Sequence, residues 1–439
     1  MKLSEIKIEN FRCFRDYNIS FAPNCTVLFG KNGAGKSCLI QAIRNFCSFI
    51  FSNEPVFEGH YISSGVPELN IKNFLSSDFY FDDNTRRIAD YASISGSASF
   101  CGKELEWELR RPSKSRGRLQ YSLYKKAFFD FADCVENGAQ YPLLIYFSDS
   151  FPHRKAKIDD KILPYTNAQT VPRSVGYYQW TYEASCTSFW EARLCNLLNL
   201  YIQLLHNENA ADLESDPAYK EVKYVCDKLV DFSRKLPGDF AIRAISSALE
   251  ANSWHLNFWF NKTRSQILQR LPAGYRRLFS IVLEIASRWY ILNESESEPK
   301  GIVIIDEVDL HLHPELEQTV ISALTTLFPE IQFIFSTHSP LVLTNLKRRE
   351  GNNRIYKMVE NSTEPCLMED IYGMNYDSGV SEVMDVTPRT SEIESLVESY
   401  LILEEENEQE LMKDTLKQLT QLTNDEEESY RLIKNAKQK

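Results

Sequence analysis

No stretch of this chain approaches the roughly 20 apolar residues that a membrane-spanning helix needs, so no membrane anchor is expected. The first residues, MKLSEIKIENFRCF, alternate like a strand and lack the long apolar run of a signal peptide, so a cytoplasmic protein is expected. Ten cysteines are present, yet no C-x-x-C pair occurs and none stands at zinc-ligand spacing with a histidine. That pattern reads as reduced thiols rather than a disulfide framework or a structural zinc site. Basic residues are the minority: 49 Lys and Arg against 61 Asp and Glu give a net charge of −12. Such a balance argues against a protein that coats nucleic acid, though not against a local basic patch. The basic stretches Arg110–Arg118, Phe151–Lys157 and Leu346–Glu350 read first as solvated loops. No repeat of solenoid period is present.

What the chain does have is an ordinary globular composition, 43% apolar and 25% charged over 439 residues, enough core for two or three domains. Near its start lies FGKNGAGKSCLIQAIRNF, Phe29 to Phe46. Gly30, Gly35, Lys36 and Ser37 occupy the fixed positions of G-x-x-x-x-G-K-[ST]. The preceding Cys25–Phe29 reads as a buried strand, and Leu39, Ile40, Ala42, Ile43 and Phe46 recur at helical spacing. Strand, loop and helix follow in the order a phosphate-binding loop requires. The stretch Gly30, Lys31, Asn32, Gly33, Ala34, Gly35, Lys36, Ser37 and Cys38 is therefore the expected nucleotide cradle. Its glycines let backbone N–H groups turn inward, and the helix N-terminus adds positive potential. Lys36 is expected at the β- and γ-phosphates of ATP and the Ser37 hydroxyl on Mg²⁺. Cys38 reads otherwise as a packing residue.

A second dense block runs from Leu271 to Tyr356. Ile302, Val303, Ile304 and Ile305 form an unbroken β-branched run, as in a strand buried on both faces of a parallel sheet. It ends in Asp306, a candidate Mg²⁺ ligand, and Glu307, a candidate general base for the attacking water. A further strand, Ile331–Phe335, leads to His338, a candidate sensor across the γ-phosphate. His311 and His313 precede a helix at Pro314 and read as part of that turn rather than a metal pair. A Pro-Ala-Gly turn opens a helix whose apolar face includes Leu278, Ile281, Val282 and Ile285.

Taken in order, these blocks resemble the ABC-type ATPase heads of the RecF, SMC and OLD group. The resemblance is carried by Gly30–Ser37 (Walker A), LPAGY from Leu271 (signature), IVIIDE from Ile302 (Walker B), VDLHLHP from Val308 (D-loop) and STHSP from Ser336 (switch histidine), with IENFRCF as the opening strand beside the adenine. Within that group, YGMNYDSGVSEVMDV and the blocks above look most like small prokaryotic defence ATPases of the Septu PtuA type. The resemblance implies an α/β head with a mostly parallel sheet, split by a long insertion and followed by a helical tail. Expected spans are 1–56 and 261–365 for the head, 57–260 for the insertion (strand-rich, then helical) and 366–439 for the acidic tail. It also implies ATP and Mg²⁺ as cofactors, with ATP held between two copies of the chain. Gly274 and Tyr275 of the signature would then act on the partner's nucleotide.

Two departures stand out. Pro272 replaces the signature serine, removing one hydroxyl from that clamp, and the Q-loop glutamine has only Gln169 as a candidate. No long coiled coil interrupts the head, and the segment after His338 lacks the strand-end glutamate and D-x-D pattern of a Toprim nuclease. The expected function is thus an ATP-dependent sensor subunit of an anti-phage complex that controls a separate nuclease, of HNH type. The alternative is a RecF-like repair ATPase that binds DNA junctions, and direct nucleic-acid contact is open in either case. In the tail, Leu396, Tyr400 and Leu403, then Leu411, Leu416, Leu419 and Leu422, predict two amphipathic helices that cannot bury their stripe alone.

Overall fold

The computed structural model describes residues 1–52, 69–114, 118–207, 215–347, 351–369, 371–385, 390–423 and 425–436. They form two compact units, 1–373 and 374–439. The expected boundary at 56/57 and parts of two basic stretches (115–117 and 348–350) lie outside the described residues.

The first unit is built on two sheets. β1 (Lys2–Phe11) and β2 (Phe14–Ser20) form a hairpin. On the other side β1 pairs with β4 (Tyr91–Phe100), which turns back into β5 (Lys103–Pro112). The β4–β5 turn takes Cys101 and Gly102, both at positive φ, as a two-residue hairpin turn demands. The larger sheet runs in the order β13 (Cys366–Leu367), β12 (Asn353–Lys357), β3 (Cys25–Phe29), β11 (Ile331–Ser336), β10 (Gly301–Ile305) and β6 (Leu143–Phe147). All its pairings are parallel except that of the edge strand β13. Every residue of β3, β6, β10 and β11 is buried, which is why each reads as a continuous apolar run rather than an alternation.

Helices complete this unit. α1 (Lys36–Cys47) follows β3, and α2 (Lys125–Glu136) precedes β6. α3 (Thr187–Asn207) and α4 (Pro217–Ser233) pack on α5 (Ala273–Asn293), which is buried from Arg277 through Leu292. α6 (Pro314–Leu327) links β10 to β11, and the short α7 (Pro340–Thr344) follows β11. A small antiparallel sheet of β7 (Ala244–Glu250), β8 (Ser253–Trp259) and β9 (Ser265–Ile267) leads into α5.

This arrangement differs from the expected linear division. The stretch 57–260, read as an insertion, supplies β4 and β5 to the sheet of β1 and β6 to the main sheet. The expected break at 260/261 falls inside the three-stranded sheet, and β13 lies beyond the expected end of the head at 365. Strand pairing joins residues remote in sequence, so composition along the chain does not reveal these sheet memberships.

The second unit also departs from expectation. Among the described residues after 390 there are three helices, α8 (Ser391–Glu405), α9 (Gln409–Thr423) and α10 (Glu426–Ala436). Val397, Leu419, Leu432 and Ile433 form its buried cluster, flanked by Leu396, Tyr400 and Leu416. The third helix supplies the face that a two-helix unit would lack. Its start looks like a mere charge run, but Glu426, Glu427 and Glu428 occupy its first turn, where acids complement the helix dipole.

Gln332 of β11 fastens the two sheets together. It is fully buried, accepts from Leu3 N–H at 2.6 Å, and donates to the carbonyls of Leu3 at 2.9 Å and Ala22 at 2.8 Å. Gln332→Met keeps the volume but strands these buried groups, each costing on the order of 1–3 kcal/mol. Stability should fall by about 2–4 kcal/mol, read as a lower urea midpoint with unchanged slope; an unchanged midpoint would refute this role.

Candidate nucleotide site

The C-terminal ends of β3, β11, β10 and β6 lie side by side, the edge of a parallel sheet where ligands bind. From β3 the chain enters the glycine loop. Gly30 has φ 150, and a Cβ there would lie 2.5 Å from the Met358 carbonyl. Gly35 has φ 95, and a Cβ there would strike the Phe14 ring at 2.8 Å, so the opening hairpin presses directly on the loop. Lys31, Asn32, Gly33 and Ser37 are exposed, Cys38 is half-buried, and Ala34, Gly35 and Lys36 are buried. The Lys36 ammonium curls back across the loop, donating to the carbonyls of Gly30 at 2.7 Å and Lys31 at 3.1 Å. Burial lowers its pKa, against the opposing pull of Asp306, Glu307 and Asp309.

Across from the loop, Ser336 at the end of β11 organises the two acids. Its hydroxyl donates to Asp306 Oδ1 and accepts from the Glu307 N–H at 2.8 Å. Glu307 sits at φ 48, in the left-handed region. Burial raises the pKa of both acids. For Asp306 the Ser336 hydrogen bond works against this, while for Glu307 the neighbouring Asp306 charge adds to it. Asp309 accepts from Thr337 Oγ1 at 2.5 Å and the His338 N–H at 3.3 Å, fixing the switch segment against the D-loop. His338 is half-buried, and its charge favours an ionised Glu307. His313 caps α6, and the His311 ring meets that of His153, consistent with their reading as turn residues.

The signature segment begins α5. Pro272 and Ala273 are exposed at its tip. Gly274 is buried, with a Cβ position only 2.9 Å from the His311 carbonyl. Tyr275 stacks on Phe240 at 3.9 Å and donates to the Pro237 carbonyl at 2.7 Å. Gly274 and Tyr275 thus shape the tip from within, while Pro272 and Ala273 present it.

Sequence reasoning passed over four residues here. Ser336 and Asp309 lie inside the switch and D-loop motifs, whose spacing alone assigns them no role. Arg277, fully buried on α5, donates to the carbonyls of Asp306 at 2.8 Å, Glu307 at 3.1 Å and Phe151 at 3.1 Å. Asp149 follows β6, whose Phe147 lies in register with Ile305, and its charge raises the pKa of both Asp306 and Glu307. Gln169, the Q-loop candidate, lies exposed in a loop whose Ala168 carbonyl accepts from Arg193. The one available signal was the apolar strand PLLIYF ending in Ser-Asp-Ser.

The donor set suits a nucleotide with Mg²⁺. An exposed Ser37 hydroxyl and the Asp306 carboxylate are hard oxygen ligands of the kind Mg²⁺ takes, and Lys36 places a cation beside the same loop. Glu307 can orient water only when ionised. Asp149→Asn removes a negative charge that raises its pKa, so the Glu307 pKa should fall. The acidic limb of kcat/KM for ATP hydrolysis should then move to lower pH. A limb at unchanged pH would show that Asp149 does not act on this base.

The chain is similar to several known proteins. A retron Vc95 probable ATPase from Vibrio cholerae serotype O1 biovar El Tor is 26% identical over 396 residues, 79% of this chain and 72% of that protein. The Septu protein PtuA from Bacillus mycoides is 25% identical over 365 residues, 78% of this chain but 39% of its own length. A DNA replication and repair protein RecF from Lactococcus lactis subsp. cremoris is 22% identical, covering 83% of this chain and 99% of RecF. Among solved structures, an SMC head bound to the C-terminal winged-helix domain of ScpA aligns with a TM-score of 0.48 at 12% identity, covering 84% of this chain and 98% of that one. The model of the AAA ATPase domain family matches residues 1–98 and 197–343, more than half of the chain, which therefore belongs to that family.

Proposed function

We propose that this chain is the ATP-hydrolysing sensor subunit of a prokaryotic anti-phage complex, closing as a dimer around ATP and governing a separate nuclease effector of HNH type. The observation that carries the ATPase reading is the convergence of Lys36, Ser37, Asp306, Glu307 and His338 at one sheet edge, with Ser336 holding both acids. The defence assignment is supported by the likeness to Septu PtuA and retron ATPases. RecF, matched along nearly its whole length, supports the second reading, a DNA-repair ATPase. Among the described residues no helix is long and apolar enough to cross a membrane.

When bound, Mg²⁺·ATP supplies the electrophilic phosphorus and the metal charge that stabilises the transferring phosphoryl group. The residues divide the remaining work. Lys36, now on two loop carbonyls, would meet the phosphates, and Ser37 and Asp306 would hold the metal. Glu307, whose backbone N–H is fixed by Ser336, would orient and deprotonate the attacking water. His338, held by Asp309 through its backbone, would face the γ-phosphate. Gly274 and Tyr275 set the tip that a second copy offers to the nucleotide, and Pro272 weakens that clamp by lacking a hydroxyl.

Glu307→Gln preserves shape and removes the base. ATP should still bind, turnover should fall on the order of a hundredfold, and an ATP-bound dimer should accumulate in size-exclusion runs. Lys36→Ala in the same assays should lose binding itself. Normal turnover by the Glu307 variant would overturn the assignment of the base.

The second unit has its own core yet exposes Ile402, Leu411, Leu422 and Tyr430 among many acids. Acidic helices with apolar tips suit docking of a basic partner, such as a nuclease. Deleting 374–439 removes a unit with a separate core. ATP hydrolysis should persist while the effector no longer co-purifies; retention of the full assembly by the truncated chain would sink this role.

A further inference from the structure

The signature tip is gripped by a part of the chain that none of the nucleotide motifs includes. Residues 237–240 lie between α4 and β7 and run beside the start of α5. The Phe240 ring stacks on that of Tyr275, with centroids 3.9 Å apart and planes 26° from parallel. The Pro237 carbonyl accepts from the Tyr275 hydroxyl at 2.7 Å. Gly238, between them, sits at φ 85, and a Cβ there would lie 3.1 Å from that hydroxyl, so both conformation and space favour glycine. Phe240 is itself held. Its ring meets that of Phe260 edge-on at 5.5 Å, and the Arg264 guanidinium lies 5.1 Å from one centroid and 5.2 Å from the other.

What this grip fixes is the first turn of α5. Pro272 is the N-cap of that helix and gives it no side-chain hydrogen bond. The N–H groups of a helix's first turn have no partner within the helix and carry its positive end. With no hydroxyl at 272, those N–H groups are what the tip offers to a phosphate. Their direction follows the placement of the turn. On one side Gly274 sets that placement, pressed to the His311 carbonyl. On the other Tyr275 sets it, through its stack on Phe240. We propose that Phe240 is a positioning residue for ATP hydrolysis, holding Tyr275 so that the signature tip meets the nucleotide of a second copy. This role rests on the reading that the tip acts across a dimer, and it extends that site to a residue of the stretch read from sequence as an insertion.

The test uses the full chain. Phe240→Leu keeps an apolar side chain and loses the ring. Binding at the Walker A loop, read with Mg²⁺·ADP by calorimetry, should stay within about twofold, because ADP has no γ-phosphate for the tip to meet. For ATP hydrolysis kcat should fall about tenfold, the order expected when an aromatic pair is lost. In the Glu307→Gln background the ATP-bound dimer should no longer accumulate in size-exclusion runs. Phe240→Tyr, which keeps the ring, should hold kcat within about threefold of the parent. Tyr275→Phe loses only the hydroxyl bond to Pro237 and should lower kcat about threefold; it decides the matter if Phe240→Leu does not fold. A Glu307→Gln parent that forms no ATP-bound dimer overturns the two-copy reading, and this role with it. A parent that forms the dimer, with Phe240→Leu and Tyr275→Phe both leaving dimer and kcat unchanged, overturns this role alone. So does an ADP affinity that falls in step with kcat, the mark of general destabilisation.

Discussion

A fully buried guanidinium holds the edge that carries the candidate nucleotide site together. Arg277 leaves the first turn of α5 and reaches the carbonyls of Asp306 and Glu307 on one side and Phe151 on the other. One side chain thus ties the signature helix, the end of β10 and the segment after β6 into a single piece. Burial brings its pKa down to about 10, with the nearby carboxylates Asp309, Glu307 and Asp306 opposing the fall. It remains a cation at neutral pH, and its field partly offsets the repulsion among those acids. A lysine could supply the charge but not the planar fork that meets carbonyls on two segments.

Around that anchor the electrostatics are arranged in opposition. Asp306 and Glu307 are lifted by burial, and Lys36 is lowered by it. Each group is pulled partway back by the other, since the acids favour the ammonium and Lys36 favours ionised Asp306. Charges held this way are poised for a polyanion with a divalent cation, which satisfies both signs at once. Ser336 gives the arrangement its geometry, because one hydroxyl fixes a carboxylate and the next residue's backbone together.

The tail shows a different economy of design. Its three helices close a small core from Val397, Leu419, Leu432 and Ile433, so its fold does not require a covering surface. What it leaves exposed is therefore open to selection for docking rather than for stability.

Much of the site was legible from sequence, because its chemistry is local. The glycine loop, the β-branched run ending in Asp306-Glu307 and the strand before His338 each carry their motif within a few residues. Backbone geometry at a strand end needs no distant partner to be recognised. The residues that were missed act through space: Arg277 through carbonyls some thirty and more than a hundred positions away, Gln332 through Leu3, and Asp149 through a parallel register that only the sheet reveals. The sheet memberships of β4, β5 and β6 were hidden for the same reason, and the third tail helix because so few apolar residues mark it. Sequence alone singled out the candidate groups for a nucleotide, since motif spacing encodes local backbone shape. Only the tertiary structure decided what holds those groups in place, because pairing between remote strands and burial of a lone guanidinium leave no periodic trace along the chain.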